Sequence, residues 1–176
     1  MIYILKGDIE TGKSKALLQW IQGRKDVYGV LSPRNDEGER YILNVKSKET
    51  FTMQTNEGDD TTISVGRYHF LTSAFKEANS IILNATVKNK SGFVIIDELG
   101  KLEMNSEGLH ESATITIQKT KHNNDLHAIL VVRSSLLDPV MKKYYIASAT
   151  LITAEDLNSA LFQNVTIVTK EENQKP

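Results

Sequence analysis

Short apolar runs alternate with stretches of helical spacing along most of this chain. Four runs are nearly continuous in apolar side chains, at residues 2–5, 27–31, 93–96 and 126–132. Such runs are typical of strands that are covered on both faces, because a strand with one solvated face alternates apolar and polar positions. Shorter runs predict further strands at residues 149–152 and 165–168.

Helical spacing recurs between the apolar runs. Apolar residues return every three or four positions within residues 15–24, 71–87, 106–121 and 138–144. The third of these segments predicts the weakest helix, since its β-branched residues lower the helix propensity. A further helix is expected from Ala154, with the Thr153 hydroxyl as its cap. Strands that alternate with helices in this way predict βαβ units and a mostly parallel sheet.

The pattern changes to alternation between residues 40 and 65. Tyr41, Leu43 and Val45 alternate with polar neighbours, as in a strand with one buried face. A polar, turn-forming segment at residues 56–60 interrupts the β-forming residues. We therefore predict an antiparallel β-meander that is inserted into the α/β framework.

The composition fits one folded domain. A chain of 176 residues with 40% apolar and 24% charged side chains suits a domain with a core of its own. We expect that domain at residues 1–170, with the β insertion at about 40–65 and a frayed tail at 171–176. The formal net charge of −1 argues against nucleic-acid binding driven by overall charge. The run at residues 2–5 is too short for a signal peptide or a membrane span, so no membrane partner is expected. The chain contains no cysteine, which permits the cytoplasmic location that we expect but does not prove it.

The segment between the first strand and the first helix matches the P-loop pattern G-x-x-x-x-G-K-[ST]. In this pattern the loop turns its backbone amides toward phosphate oxygens, and the following helix points its positive N-terminal end at the same anion. Lys13 supplies a mobile charge for the β- and γ-phosphates, and Ser14 offers a hydroxyl to Mg²⁺. The predicted nucleotide-binding residues of this segment are Gly7, Asp8, Ile9, Glu10, Thr11, Gly12, Lys13, Ser14 and Lys15.

Two features of this P-loop leave alternatives open. The same residues in another context would form only a turn with a helix cap, but the apolar strand before them and the amphipathic helix after them favour phosphate binding. Glu10 stands where many P-loops have glycine, close to the expected position of the triphosphate oxygens. Its carboxylate either points outward or weakens binding and slows turnover.

Two carboxylates follow the apolar strand at residues 93–96. In P-loop proteins an aspartate at such a strand end holds Mg²⁺, usually through water, and Asp97 fits that role. Glu98 points elsewhere and is the candidate for the base that polarises the attacking water. Adjacent acids are more often solvated loop residues. The P-loop upstream and the position at the carboxyl end of a strand favour a functional pair here, because ligands of parallel α/β sheets bind at that edge.

Residues 97–103 read Asp-Glu-Leu-Gly-Lys-Leu-Glu, and with the P-loop they carry a family resemblance. The chain resembles the small P-loop nucleoside-triphosphatase family first described from thermophiles, which includes the cancer-related nucleoside-triphosphatase. That family typically has Asp-Glu-Ile-Gly-Lys-Met-Glu at this point. Weaker similarities at residues 29–34, 65–68 and 151–155 extend the resemblance over nearly the whole chain.

The resemblance implies a fold and an activity. The fold would be the P-loop NTPase three-layer α/β sandwich, with an extra strand between the P-loop strand and the Asp-Glu strand. The activity would be slow, Mg²⁺-dependent hydrolysis of several nucleoside triphosphates. Carried over by position, residues 7–14 would bind phosphate, Asp97 would serve Mg²⁺ and Glu98 would activate water. The absence of glycine at position 10 bears on efficiency and not on the fold.

Three basic residues are weaker candidates for the site. Lys101 lies in the acidic motif and would add positive charge near the leaving phosphates, or else form a salt bridge with Glu103. Arg34 and Arg133 follow two of the predicted strands and fall at the ligand-binding edge of the sheet, although each has the alternative of an ordinary surface arginine. The four histidines have no spacing that indicates zinc, and Trp20 and Phe75 are expected in the core. 

Three functions remain compatible with these residues. The leading hypothesis is hydrolysis of a nucleoside triphosphate, such as ATP or GTP, with Mg²⁺ as cofactor. The second is a nucleotide-dependent switch or adapter that docks a protein partner through the β-meander, which alternatively covers the nucleotide or has no role. The third is a small-molecule kinase, which is less favoured because no arginine-rich lid segment is evident.

Overall fold

A seven-stranded mixed sheet organises the fold in this computed structural model, which describes residues 1–8, 11–56, 58–59 and 61–158. The strands are β1 (Ile2–Lys6), β2 (Val27–Leu31), β3 (Tyr41–Asn44), β4 (Thr50–Thr52), β5 (Gln54–Thr55), β6 (Thr62–Val65), β7 (Tyr68–Leu71), β8 (Gly92–Leu99), β9 (Leu126–Val132) and β10 (Thr150–Ile152). The α-helices are α1 (Lys13–Trp20), α2 (Thr72–Lys88), α3 (Lys101–Met104), α4 (His110–Lys121) and α5 (Leu137–Lys143).

The strand order of the large sheet is β10-β1-β9-β8-β2-β3-β4. The first five strands in that order run parallel to one another, and β3 and β4 continue the sheet antiparallel at one edge. Strand β9 lies between β1 and β8, which is the extra strand that the family resemblance implied. Since β1, β8 and β2 are parallel, their carboxyl ends meet at one edge of the sheet, where ligands bind in such folds.

Both faces of the parallel strands are buried, which explains their continuous apolar runs. Ile4, Ile96 and Leu130 point to the core layer that contains α2 and α4. Their chain neighbours Leu5, Ile95 and Val131 point to the opposite core layer, which contains α1. Trp20 of α1 and Phe75 of α2 belong to these layers and are 8% and 6% exposed. The predicted three-layer sandwich and the predicted core positions of both aromatic residues are confirmed.

The inserted β segment is divided between two sheets. The predicted antiparallel insertion is confirmed, but β3 and β4 extend the large sheet, while β5, β7 and β6 form a separate three-stranded sheet. We term this the small sheet. The sequence predicted that the insertion ends at about residue 65, in the segment of residues 65–68, whereas β7 continues to Leu71. Phe70 explains the longer strand, because it is buried and packs edge-on against Phe75 at a ring separation of 6.3 Å.

Other boundaries differ from the sequence prediction at glycines and turns. The helix predicted at residues 106–121 begins only at His110, as α4, because Ser106 and Gly108 adopt positive φ angles of 65° and 61° that a helix does not accommodate. The short helix α3 precedes it and was not predicted. Of the helix predicted from Ala154, the structure describes only a short 3₁₀ turn at Asp156–Asn158. The predicted strand at 165–168 and the tail lie outside the described residues.

None of the helices in the described part of the chain is both long and apolar enough to cross a bilayer.

Candidate functional site

The loop between β1 and α1 has two glycines that its conformation requires. Gly12 precedes α1 with a φ angle of 77°, in the left-handed region that side chains rarely adopt. A β-carbon on Gly7 would lie 2.6 Å from the Thr11 hydroxyl, so the chain could not turn back on itself as closely. The loop is further tied by a 3.0 Å hydrogen bond from Thr11 Oγ1 to the Asp8 carbonyl. The first amides of α1 have no intrahelical partner, so they are available to an anion bound at this loop.

Lys13 lies across the mouth of this loop. Its Nζ donates to the Gly7 carbonyl at 2.7 Å and to the Thr11 hydroxyl at 3.3 Å. The side chain is buried, and burial lowers the pKa of Lys13, while the nearby Glu98 and Asp97 carboxylates oppose that shift. The Lys13 ammonium group can release these protein oxygens and donate to an incoming anion instead.

Asp97 is the buried centre of the site. It lies at the end of β8, is 1% exposed, and accepts hydrogen bonds at Oδ2 from Ser14 Oγ at 3.0 Å and from the Ser32 amide at 3.1 Å. Burial raises the pKa of Asp97, and the two hydrogen bonds partly offset that effect. Asp97 Oδ1 is also buried, and it has no hydrogen-bond partner among the described residues. A buried acceptor of this kind beside the Ser14 hydroxyl fits Mg²⁺, which prefers oxygen ligands.

Glu98 faces two arginines. Arg133 Nε donates to Glu98 Oε1 at 2.6 Å, and Arg40 Nη2 lies 3.6 Å from Glu98 Oε2. The pairing of β8 with β9 shifts register between Ile96 and Leu99, which is where both acids occur. The Glu98 side chain is 15% exposed and reaches the cavity that Lys13 and Ser14 also line.

A cavity of about 290 Å³ gathers most of the residues that the sequence predicted. It is lined by Thr11, Gly12, Lys13, Ser14, Lys15, Ser32, Pro33, Arg34, Arg40, Glu98 and Arg133. Asp97 lies directly beneath Ser14, while Gly7 and Asp8 lie behind Lys13 and contribute their carbonyls. Ile9 and Glu10 fall outside the described residues. We term this space the phosphate cavity.

A smaller cavity of about 80 Å³ adjoins the phosphate cavity on the far side of Glu98. Its apolar lining consists of Val65 and Phe70 of the small sheet, Phe75 of α2, Leu102 of α3 and Met53. The residues that line both cavities are Ser32, Arg40, Glu98 and Arg133. The Glu98 carboxylate therefore stands at the boundary between the two spaces. We term the second space the rear cavity.

The other candidate basic residues lie at different distances from this centre. Arg34 lines the phosphate cavity, donates to the Gly38 carbonyl and stacks over Tyr68 with its guanidinium 5.8 Å from the ring centre. Lys101 is exposed and lines the rear cavity. Of the three basic candidates from the sequence, Arg34 and Arg133 thus share the phosphate cavity and Lys101 does not.

Glu103, the last residue of the acidic motif, has a structural position. It is 3% exposed, and its carboxylate accepts the Gly100 amide at 2.7 Å and the Leu109 amide at 2.8 Å. Burial raises the pKa of Glu103, and these two amides oppose the shift. The carboxylate thereby ties the segment that follows Glu98 to the start of α4, and it does not pair with Lys101.

The sequence analysis missed Ser32, Pro33 and Arg40 as residues of the site, and Arg40 has the most extensive contacts of the three. Its Nη1 donates to the Ser32 carbonyl at 2.8 Å and its Nη2 faces Glu98. It immediately precedes β3, in the segment that was assigned to the insertion rather than to the site. Because β3 runs antiparallel to β2, the start of β3 lies beside the carboxyl end of β2. A residue that immediately precedes β3 therefore lies at the ligand-binding edge of the sheet, and this was the signal in the sequence that could have identified Arg40.

Known proteins give a family for this arrangement. The fold is similar to the crystal structure of THEP1 from the hyperthermophile Aquifex aeolicus, with a TM-score of 0.70. The two share 18% sequence identity over 94% of this chain and 96% of that chain, so the likeness concerns the fold. No curated protein matches the sequence. Residues 3–165 match the family model described as NTPase, which spans most of the chain. On this match, which agrees with the P-loop and the Asp-Glu pair, the chain belongs to the NTPase family.

Proposed function

We propose that this protein slowly hydrolyses nucleoside 5'-triphosphates, including ATP and GTP, to the diphosphate and phosphate with Mg²⁺. Broad base specificity is part of the proposal. The observation that carries it is the hydrogen bond between Ser14 and Asp97, which brings the P-loop serine to a buried carboxylate with a free acceptor oxygen. Lys13 and Glu98 line the same cavity beside that pair.

The triphosphate would be bound by charge and by backbone amides. The first residues of α1 line the phosphate cavity, so their amides would be available to phosphate oxygens. Lys13 would exchange its contact with the Gly7 carbonyl for β- and γ-phosphate oxygens. Arg133, and Arg34 at the rim, would add positive charge where the phosphates lie. These groups stabilise the negative charge that spreads over the transferred phosphoryl group in the transition state.

Ser14 and Asp97 are the residues that would hold Mg²⁺. The Ser14 hydroxyl would bind directly, and the free Asp97 oxygen would accept from the hydration shell of the ion. The bound ion neutralises phosphate charge and orients the β- and γ-phosphates. In the protein itself, the hydrogen bonds from Ser14 and Ser32 fix the orientation of the Asp97 carboxylate.

Glu98 would activate water at the boundary of the two cavities. A water molecule in the rear cavity would lie against Glu98, which also lines the phosphate cavity. As its oxygen attacks the γ-phosphorus, its proton passes to the Glu98 carboxylate. The bond between the γ-phosphorus and the bridging oxygen breaks, and the diphosphate leaves with the electron pair.

The rear cavity has room for the attacking water. Its volume of about 80 Å³ exceeds the roughly 10–15 Å³ that one water molecule needs by the same measure. Glu98 and Arg133 line this space and provide polar partners for such a water. The space next to Glu98 thus supports the proposed hydrolysis.

Rates of phosphate release with ATP, GTP, CTP and UTP test the proposal, each measured with and without Mg²⁺. The parent protein is expected to release phosphate from several of them with Mg²⁺, and Lys13→Ala is expected to lose at least about 100-fold in kcat/KM. Lys25→Ala is the matched control, because Lys25 is exposed and lies before β2, at the opposite edge of the sheet. Phosphate release by the parent that does not exceed that of Lys13→Ala would refute the hydrolase proposal.

A further inference from the structure

We infer that Arg40 is a positioning residue, which fixes the Glu98 carboxylate relative to Asp97 and makes the small sheet part of the catalytic apparatus. The inference rests on the proposed function, because Glu98 and Asp97 have their roles only in triphosphate hydrolysis. Arg40 acts through Glu98 and Ser32 and need not touch the nucleotide.

A closed ring of contacts joins Arg40 to both carboxylates. The Ser32 amide donates to Asp97 Oδ2 at 3.1 Å. Arg40 Nη1 donates to the Ser32 carbonyl at 2.8 Å and to the Ser32 hydroxyl at 3.3 Å. Arg40 Nη2 lies 3.6 Å from Glu98 Oε2, and Glu98 is bonded to Asp97 through the chain. This ring, together with the 2.6 Å hydrogen bond from Arg133 Nε to Glu98 Oε1, holds the two carboxylates relative to each other.

The small sheet holds the backbone of Arg40 in place. The Arg40 amide donates to the Gln54 side-chain oxygen at 3.3 Å, and the Gln54 amide donates to the Arg40 carbonyl at 3.1 Å. Gln54 is the first residue of β5, so Arg40 is anchored to the small sheet through both of its backbone polar groups. The small sheet thus holds Arg40 beside Ser32 and Glu98, in addition to the side chains that it contributes to the rear cavity.

The guanidinium shape is essential to this arrangement. Nη1 donates a hydrogen bond to the Ser32 carbonyl, and Nη2 forms an ion pair with Glu98. The rigid guanidinium plane fixes the angle between these two contacts. A lysine has one terminal nitrogen on a flexible stem and cannot span both partners in fixed geometry. Arg40 and Arg133 also differ in setting, because their side chains are 18% and 34% exposed. Arg133 also donates to Glu98, from Nε at 2.6 Å, but it is the more exposed of the two and is suited to contact an incoming phosphate as well. Arg40 is the less exposed and holds Ser32 in addition to facing Glu98.

Steady-state hydrolysis of Mg²⁺-ATP by Arg40→Met and Arg40→Lys, compared with Arg133→Met, separates positioning from phosphate binding. Displacement of a reacting group by about 1 Å costs about 100-fold in rate, so we expect both Arg40 variants to lose about 10- to 100-fold in kcat. Their KM is expected to stay within about threefold of the parent, whereas Arg133→Met is expected to raise KM and also to lower kcat, because Arg133 both lines the phosphate cavity and donates to Glu98. A raised KM with unchanged kcat in Arg40→Met would make Arg40 a phosphate ligand and overturn the inference. Parent-like kcat in Arg40→Lys would overturn it as well, because charge alone would then suffice.

A double-mutant cycle with Glu98→Gln tests whether Arg40 acts through Glu98. We expect Arg40→Met to lower the single-turnover rate by less than about threefold in the Glu98→Gln background. Equal losses in both backgrounds would show a general structural effect and overturn the inference. Should Arg40→Met fail to fold, the same cycle is run with Arg40→Lys, which retains the charge and most of the stem. In either case the parent and Lys13→Ala rates report separately on whether the protein is a hydrolase at all.

Discussion

Ser14 Oγ donates a 3.0 Å hydrogen bond to Asp97 Oδ2, although 83 positions separate the two residues in the chain. This bond joins the start of α1 to the end of β8, across the parallel part of the sheet. Its geometry follows from the rule that parallel strands present their carboxyl ends at one edge. The bond brings a hydroxyl and a buried carboxylate within reach of one hydrated metal ion.

The first prediction concerns Mg²⁺. Asp97→Asn retains an oxygen that can accept from Ser14 and Ser32 but removes the charge and places an amide group in the site. We expect the Mg²⁺ concentration that half-saturates hydrolysis to rise at least about 10-fold, in the range seen when groups around a metal are altered. The measurement is a Mg²⁺ titration of phosphate release at saturating ATP.

ATP binding without Mg²⁺, measured by calorimetry, is the control for that variant. Its affinity is expected to remain within about threefold of the parent, since Asp97 acts on the metal and not on the phosphates. An unchanged half-saturating Mg²⁺ concentration would remove Asp97 from the metal site.

The second prediction concerns the anchor of the acidic motif. In the parent protein the Gly100 and Leu109 amides each donate to a different carboxylate oxygen of Glu103. Glu103→Gln replaces one of these oxygens with an NH₂ group, so one amide loses its acceptor and faces another donor. We expect the free energy of unfolding to fall by about 1–3 kcal/mol, the cost of a buried unpaired polar group. Urea unfolding measures this loss, and Glu107→Gln on the exposed turn nearby is the control. A stability equal to that of the control would show that the two amides do not depend on the carboxylate.

The third prediction concerns Gly29 in β2. Its φ angle is 94°, and a β-carbon there would lie 2.1 Å from the Ile95 carbonyl oxygen of β8. Gly29→Ala therefore strains the backbone and forces the two strands apart. We expect a loss of at least about 3 kcal/mol in the free energy of unfolding. Gly38→Ala is the comparison, because Gly38 also has a positive φ but nothing near its β-carbon position. Equal losses for the two variants would mean that the contact with Ile95 adds no cost.

The framework and the central pair of the site could be predicted because local pattern determines them. Buried parallel strands give continuous apolar runs, as at residues 126–132, where the predicted and observed strands coincide. The P-loop places Lys13 and Ser14 by spacing alone, and a strand end places Asp97. Each of these inferences needs only neighbouring residues and one rule of sheet topology.

Arg40 and Glu103 could not be assigned from such patterns. The contact of Arg40 with Glu98 depends on the register between β2 and β3 and on the anchoring of Arg40 to Gln54, neither of which has a local signature. Glu103 has the composition of a solvated acid, and its burial follows from the turn that brings Leu109 back onto it. The division of the insertion into two sheets likewise depends on tertiary packing, since Phe70 finds its partner on α2.

The most direct test of the proposed function is the single-turnover rate of Mg²⁺-ATP hydrolysis by Glu98→Gln, measured alongside its nucleotide affinity. Glutamine retains the shape of Glu98 but cannot accept the proton of the attacking water, so the rate is expected to fall by about 10²- to 10⁴-fold. Nucleotide affinity is expected to stay within about threefold, because Lys13 and the loop amides provide the binding. Hydrolysis by Glu98→Gln at the parent rate would contradict the assignment of Glu98 as the base and with it the proposed mechanism.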